Sequence, residues 1–127
     1  MKSLLLALAF TGAASFAHAQ DAASGEKIFN QCRACHRIGP DAKNAVGPVL
    51  NGVVGRKAGT YGGYAYSDAM KASGQDWTEE NLTAFLQKPK AAVPGTKMAF
   101  IGLKDPTKVA DLIAYLKTFD AAGQKTQ

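Results

Sequence analysis

Only two cysteines, two histidines and one tryptophan occur among the 127 residues. Without His18, which lies in the leader-like start of the chain, two thiols and one imidazole are fewer than the four ligands of a structural zinc site. A disulfide between Cys32 and Cys35 would close too short a loop to stabilise a domain appreciably. Long apolar runs are also missing: the stretch Leu4 to Phe10 falls well short of the roughly 20 residues that span a bilayer, and no later stretch comes closer. Strict alternation of apolar and polar residues is scarce, which disfavours sheets and the βαβ frame in which redox Cys-X-X-Cys pairs usually sit. No internal repeat or low-complexity segment appears. Basic residues exceed acidic ones by 15 to 10, but they form no dense basic stripe of the kind nucleic-acid binding requires.

What the chain does contain is Cys32-Arg33-Ala34-Cys35-His36. Two cysteines three apart, with a histidine directly after the second, read as a covalent haem attachment site. Each thiol adds to a vinyl group and the imidazole binds iron. On a helix the two thiols would stand about one turn apart on one face, with His36 following on that face.

At the start of the chain Lys2 precedes the apolar run, and small residues end in Ala17-His18-Ala19. That is the pattern of a secretory signal peptide over residues 1–19, cleaved before Gln20, ahead of one domain over 20–127. The competing reading, a membrane anchor, requires the Ala-X-Ala signal to go unread. An exported periplasmic protein without stable membrane insertion is expected. Cleavage removes Met1 and His18, so His36 becomes the sole histidine and bis-histidine ligation of the iron is excluded. A second ligand would then be a methionine sulfur, from Met70 or Met98.

The remaining chain is one small domain, for which a large apolar cofactor would supply much of the interior. Gly25, Ile28, Phe29 and Cys32 fall at i, i+3, i+4 and i+7, a first helix with Asp21 or Ser24 as cap. From Arg37 to Tyr66 no period is sustained and seven glycines occur, as in a long loop that wraps a cofactor. Ser67 to Ser73 suits a short helix stopped at Gly74. Another begins at Thr78, carries Leu82, Phe85 and Leu86 as its buried stripe, and ends before Pro89. The last starts with Asp105 as cap and Pro106 at its first position, with Val109, Leu112, Ile113 and Leu116 on one face.

Between the last two helices runs Val93-Pro94-Gly95-Thr96-Lys97-Met98-Ala99-Phe100. The Pro-Gly turn removes backbone freedom just before Met98, as a loop must if it is to hold a weak thioether ligand against iron. Met70 lies in the expected short helix, where methionine is more often core filler. Met98 is therefore the preferred ligand.

The order of Cys32-Arg33-Ala34-Cys35-His36, Gly47-Pro48, Gly55-Arg56-Lys57, Trp77, Pro94-Gly95-Thr96-Lys97-Met98 with Phe100, and Leu112-Ile113-Ala114-Tyr115-Leu116 resembles the class I c-type cytochromes, in the layout of bacterial cytochrome c2 and the mitochondrial protein. The resemblance covers about Gly25 to Leu116. It implies an all-α fold of a few helices and long loops wrapped around one covalent haem c. It implies His36 and Met98 as axial ligands, and the Pro48 carbonyl as the partner that orients the imidazole. Arg56, Tyr66 and Trp77 would bind the inner propionate. Gly25 would let the first helix pack closely on Tyr115. Lys27, Lys90, Lys97 and Lys104 match a lysine ring around an exposed haem edge near Phe100. Their other reading is a solvated face with no docking role. The chain departs from the mitochondrial pattern at Met70 and Phe85, where that pattern often has an asparagine and a tyrosine beside the haem.

The expected function is that of a monomeric electron carrier, not an enzyme, that shuttles single electrons between membrane redox complexes with acidic docking surfaces. Candidates for those complexes are a bc1-type complex and a terminal oxidase, a reductase or a photosynthetic reaction centre. Two other readings stay open: a thiol-disulfide oxidoreductase with free cysteines, and a haem-based ligand sensor whose sixth site is open.

Overall fold

Asp21 accepts hydrogen bonds from the backbone N–H groups of Ala23 and Ser24 at 2.9 and 3.2 Å, and so caps the helix α1, Ala22–Phe29. Of the two candidate caps Asp21 takes the role, and Ser24 lies inside the helix. This computed structural model describes residues 20–126 together with Gly12. The expected signal peptide lies, Gly12 apart, outside the described residues.

Cys32 and Cys35, expected on the first helix, lie beyond it. After Phe29 the backbone tightens into i→i+3 hydrogen bonds, with Cys32 N–H on the Phe29 carbonyl at 2.8 Å and Cys35 N–H on the Cys32 carbonyl at 3.1 Å. Such winding satisfies carbonyls that a helix end leaves unpaired. The two thiols thus stay one turn apart, on a tight turn instead of on a helix.

The remaining helices follow their sequence signals. Ser67 caps α2, Asp68–Ser73, which stops at Gly74 with φ 64°. Thr78 caps α3, Glu79–Gln87, through the Asn81 N–H at 3.1 Å. A single turn, α4, Pro89–Ala92, was not anticipated; Pro89 ends α3 but opens the next helix, because its missing N–H and fixed φ suit a first helical position. Asp105 caps α5, Pro106–Lys117. No strand forms among the described residues; two isolated bridges occur, Lys57 with Asp76 and Phe119 with Lys125.

Helix α1 packs on α5 at Gly25. A Cβ there would overlap the Asp111 carbonyl oxygen and lie 2.8 Å from Tyr115 Cβ. The Asp111 carboxylate accepts the Asp21 N–H at 2.9 Å, and the rings of Phe29 and Tyr115 stand 5.3 Å apart. Backbone faces backbone here, so neither side can yield. Gly25→Ala should cost about 3 kcal/mol through forced separation of the helices, lowering the melting temperature by roughly 10–20 °C, as thermal denaturation would show.

The glycine-rich segment after the cysteines finds its hydrogen bonds in other segments, as a chain without helix or strand must. Asn51 and Gly39 exchange two bonds of 2.8 Å in the interior. Gly55 N–H meets the Trp77 carbonyl at 2.7 Å, Trp77 N–H the Arg56 carbonyl at 2.8 Å, and Ala58 N–H the Gln75 carbonyl at 2.8 Å. The long loop is thereby tied to the stretch that leads into α3.

Candidate functional site

Many buried side chains face a cavity. Phe29, Leu82, Phe85, Leu86, Leu112 and Leu116 are all buried, and all line a space of about 530 Å³. That size lies within the roughly 300–1,000 Å³ of small-molecule and cofactor sites. Cys32, Cys35, His36 and Met98 line the same space, so the attachment motif and the preferred thioether meet there although 62 positions separate His36 from Met98.

His36 is held from two directions. Its Nδ1 lies 2.8 Å from the Pro48 carbonyl; with the proton on Nδ1 as donor, the lone pair of Nε2 is left for a metal. Gly47 stands against the ring, and a Cβ at that position would come within 2.5 Å of Cε1. Gly47 N–H in turn donates to the Cys35 carbonyl at 2.8 Å, fastening this loop to the motif. Burial holds the imidazole below its usual pKa, against the raising effect of the Pro48 contact, which favours the neutral form that ligates iron.

Burial pushes the Cys32 thiol up to about 11. A thiol-disulfide enzyme needs a thiolate near neutral pH, so Cys32 is poorly suited to that reading. For addition to a vinyl group, a thiol beside an apolar cavity is well placed.

Met98 is half-buried in a segment turned by Pro94-Gly95. Gly95 has φ 92°, a left-handed conformation open chiefly to glycine. Thr96 N–H closes the turn on the Val93 carbonyl at 3.0 Å. Met70 is a core residue at 9% exposure, as expected, but it lines the cavity too. Phe85 packs 5.0 Å from the Trp77 ring, so Met70 and Phe85 both present apolar groups to the cavity.

Arg56 lines the cavity. Its Nη1 donates to the Asn51 carbonyl at 2.9 Å, while its Nε is buried with no partner among the described residues. An unpaired buried guanidinium donor is costly, and an anionic group in the cavity would satisfy it. Tyr66 and Trp77 line the cavity as well, the Tyr66 hydroxyl accepting the Tyr61 N–H at 3.1 Å. Apolar walls, a thiol pair, an imidazole, a thioether and an orphaned cation together fit a haem with its propionates.

The four lysines are exposed but not alike. Lys104 donates to the Gln87 carbonyl at 3.1 Å, and Lys97 donates to the Ala65 carbonyl. For the side chains of Lys27 and Lys90 no hydrogen bond or ion pair is found among the described residues. Phe100 is half-buried on the cavity. Near it in sequence Ile101 is 87% exposed, and Val46, which also lines the cavity, is 73% exposed. Neither apolar residue was singled out from the sequence, nor was Tyr64. The available signal for Tyr64 was its place two residues before Tyr66, since alternate residues of an extended chain share a face.

Comparison with known proteins agrees with this geometry. The family model described as "Cytochrome c" matches residues 22–120. The chain is similar to "Cytochrome c2" of Blastochloris viridis, 59% identical over 98% of this chain and 99% of that protein. It is similar also to "Cytochrome c2" of Rhodomicrobium vannielii, 52% identical over 93% of this chain and 97% of that protein. Among solved structures, cytochrome cH from Methylobacterium extorquens superposes with a TM-score of 0.74 at 57% identity, over 77% of this chain and 98% of that one. The chain therefore belongs to the cytochrome c family: it is a small all-α electron carrier, not an enzyme, with one covalently bound haem c.

Proposed function

We propose that this cytochrome shuttles single electrons between membrane redox complexes in the periplasm, with Cys32 and Cys35 as attachment points and His36 and Met98 as axial ligands. The observation that carries this reading is that one apolar cavity gathers both thiols, the neutral imidazole and the thioether. When bound, the haem supplies a one-electron iron couple, whose potential mixed His/Met ligation raises. The chain's own residues do the rest. The Pro48 carbonyl fixes the His36 ring; Arg56, with Tyr66 and Trp77, would hold the inner propionate; the apolar walls would exclude water. Such a site changes little between oxidation states. Export rests on the sequence pattern of Lys2, Leu4 to Phe10 and Ala17-His18-Ala19.

Docking is assigned to the rim around Phe100, where Lys27, Lys90, Lys97 and Lys104 face acidic partner surfaces and a monomer makes brief, small-area contacts. Lys27 and Lys90 give the cleaner test, because Lys97 and Lys104 also hold backbone carbonyls. Lys27→Glu and Lys90→Glu should each slow electron transfer with a bc1-type complex or terminal oxidase several-fold at low salt. The difference should fade at physiological ionic strength, where charges are screened over about 8 Å. Lys125→Glu, in the tail, should change the rate little. Equal slowing by all three in stopped-flow measurements would mean that net charge alone steers the encounter.

A further inference from the structure

Beyond α5 the chain folds back on itself. Thr126 N–H meets the Thr118 carbonyl at 2.8 Å and Asp120 N–H the Gln124 carbonyl at 3.0 Å, while Phe119 pairs with Lys125. The Asp120 carboxylate accepts the Ala122 and Gln124 N–H groups, each at 2.9 Å. Phe119 anchors this turn, its buried ring edge-on to Tyr115 at 5.3 Å. The tip, Gly123, is buried and left-handed at φ 79°. It lies so close to the glycine-rich loop that a Cβ there would overlap the Gly39 carbonyl and stand 2.5 Å from Asn51 Nδ2. A Cβ on Gly52 would likewise come within 2.9 Å of Ala121 Cα. No residue of the turn lines the cavity.

Asn51 links this turn to the site. It is 5% exposed, its side chain is paired with Gly39 by two bonds of 2.8 Å, and the tail closes over that pair. Its carbonyl accepts Arg56 Nη1 at 2.9 Å. The other contacts of the guanidinium are longer: the Val49 carbonyl lies 3.4 and 3.3 Å from Nη1 and Nη2, and the Tyr61 ring centroid 5.1 Å from Cζ. Where Asn51 stands therefore decides where the guanidinium stands, and with it the unpartnered Nε.

We propose that the tail turn is a backstop, with Gly123 and Asn51 as positioning residues that keep the Arg56 guanidinium turned to the cavity. The inference rests on the reading of Arg56 as the partner of the inner propionate. A cation close to the haem disfavours the extra positive charge of ferric iron, and the more so where water is scarce. It also offsets the propionate charge, which favours ferric iron. When the backstop is lost the loop shifts, both effects weaken, and the ferric form gains. The tail thereby tunes the couple from outside the cavity.

The test is a potentiometric titration of each holoprotein variant beside its thermal unfolding. Gly123→Ala and Asn51→Ala change no charge, so a shift in potential must come from groups that they move. Each should favour ferric iron about threefold, a midpoint lower by about 30 mV at about 59 mV per decade. Arg56→Met should favour it about tenfold, and adding Gly123→Ala or Asn51→Ala to that variant should lower the midpoint no further, because both act through Arg56. Gly25→Ala should melt earlier yet keep the wild-type midpoint. Should Gly123→Ala yield no holoprotein, Asn51→Ala carries the same test. A wild-type midpoint in the neutral variants would overturn the backstop. So would an equal drop that persists in the Arg56→Met background, or one produced by Gly25→Ala, since general loosening would then set the potential. If Arg56→Met itself leaves the midpoint unchanged, the reading of Arg56 fails and the backstop with it. If Arg56→Met lowers the midpoint and the neutral variants do not, the backstop alone fails.

Discussion

Replacing Cys32 and Cys35 together by alanine should leave a chain with little helix and no cooperative melting transition. The five helices among the described residues have 8, 6, 9, 4 and 12 residues, and helices below about 12–15 residues are marginal in water on their own. Their apolar faces must be covered from elsewhere. Phe29, Leu82, Phe85, Leu86, Leu112 and Leu116 are buried and turned to the cavity. Each is worth roughly 1.5–3 kcal/mol when taken out of water, and together that is comparable with the 5–15 kcal/mol of an ordinary domain's whole stability. Without a covalent haem to fill the space, collapse would bring together walls shaped for a flat ring and leave the Arg56 donor unpaired. Far-ultraviolet circular dichroism of the double variant checks this. Native-like helicity with a sharp melt would show that the protein core suffices without its cofactor.

The Met98→Ala variant should keep its haem, lose the methionine–iron absorption band and have a midpoint potential lower by roughly 100 mV or more. A thioether favours ferrous over ferric iron; losing about two decades of that preference corresponds to about 59 mV per decade for one electron. The vacated position should also admit small ligands that the wild type excludes. Met70→Ala supplies the comparison. Met70 lines the cavity but belongs to the packed core at 9% exposure, so its loss should cost about 2–5 kcal/mol of stability while the band remains. Loss of the band in Met70→Ala instead would move the ligand assignment to that residue.

These predictions show which parts of the molecule were legible in the sequence. Local rules located the helices: Asp21, Ser67, Thr78 and Asp105 each cap one through a backbone N–H. The five-residue motif named the attachment chemistry because its spacing alone is sufficient. Gly25 and Pro48 were placed through the family resemblance, and the structure gives their physical reasons, a helix contact with no room for a Cβ and a carbonyl 2.8 Å from His36 Nδ1. What stayed illegible depends on tertiary closure. The turn at Pro89 was read only as the end of a helix, since a proline that stops one helix equally opens the next. The cysteines left α1 because Asn30 and Gln31 wind into tighter turns, which hydrophobic period does not register. The bonds from Lys97 to Ala65 and from Tyr64 to Val46 span 32 and 18 positions, beyond the reach of any local pattern.

The most direct measurement of the central claim is a potentiometric titration of the purified holoprotein followed by its absorption spectrum. Expected is one reversible one-electron wave, with the methionine–iron band present in the oxidised form and no rapid binding of carbon monoxide by the reduced form at neutral pH. An oxidised spectrum without that band, together with rapid carbon monoxide binding, would contradict the claim that His36 and Met98 hold the iron for electron transfer and would favour a ligand sensor.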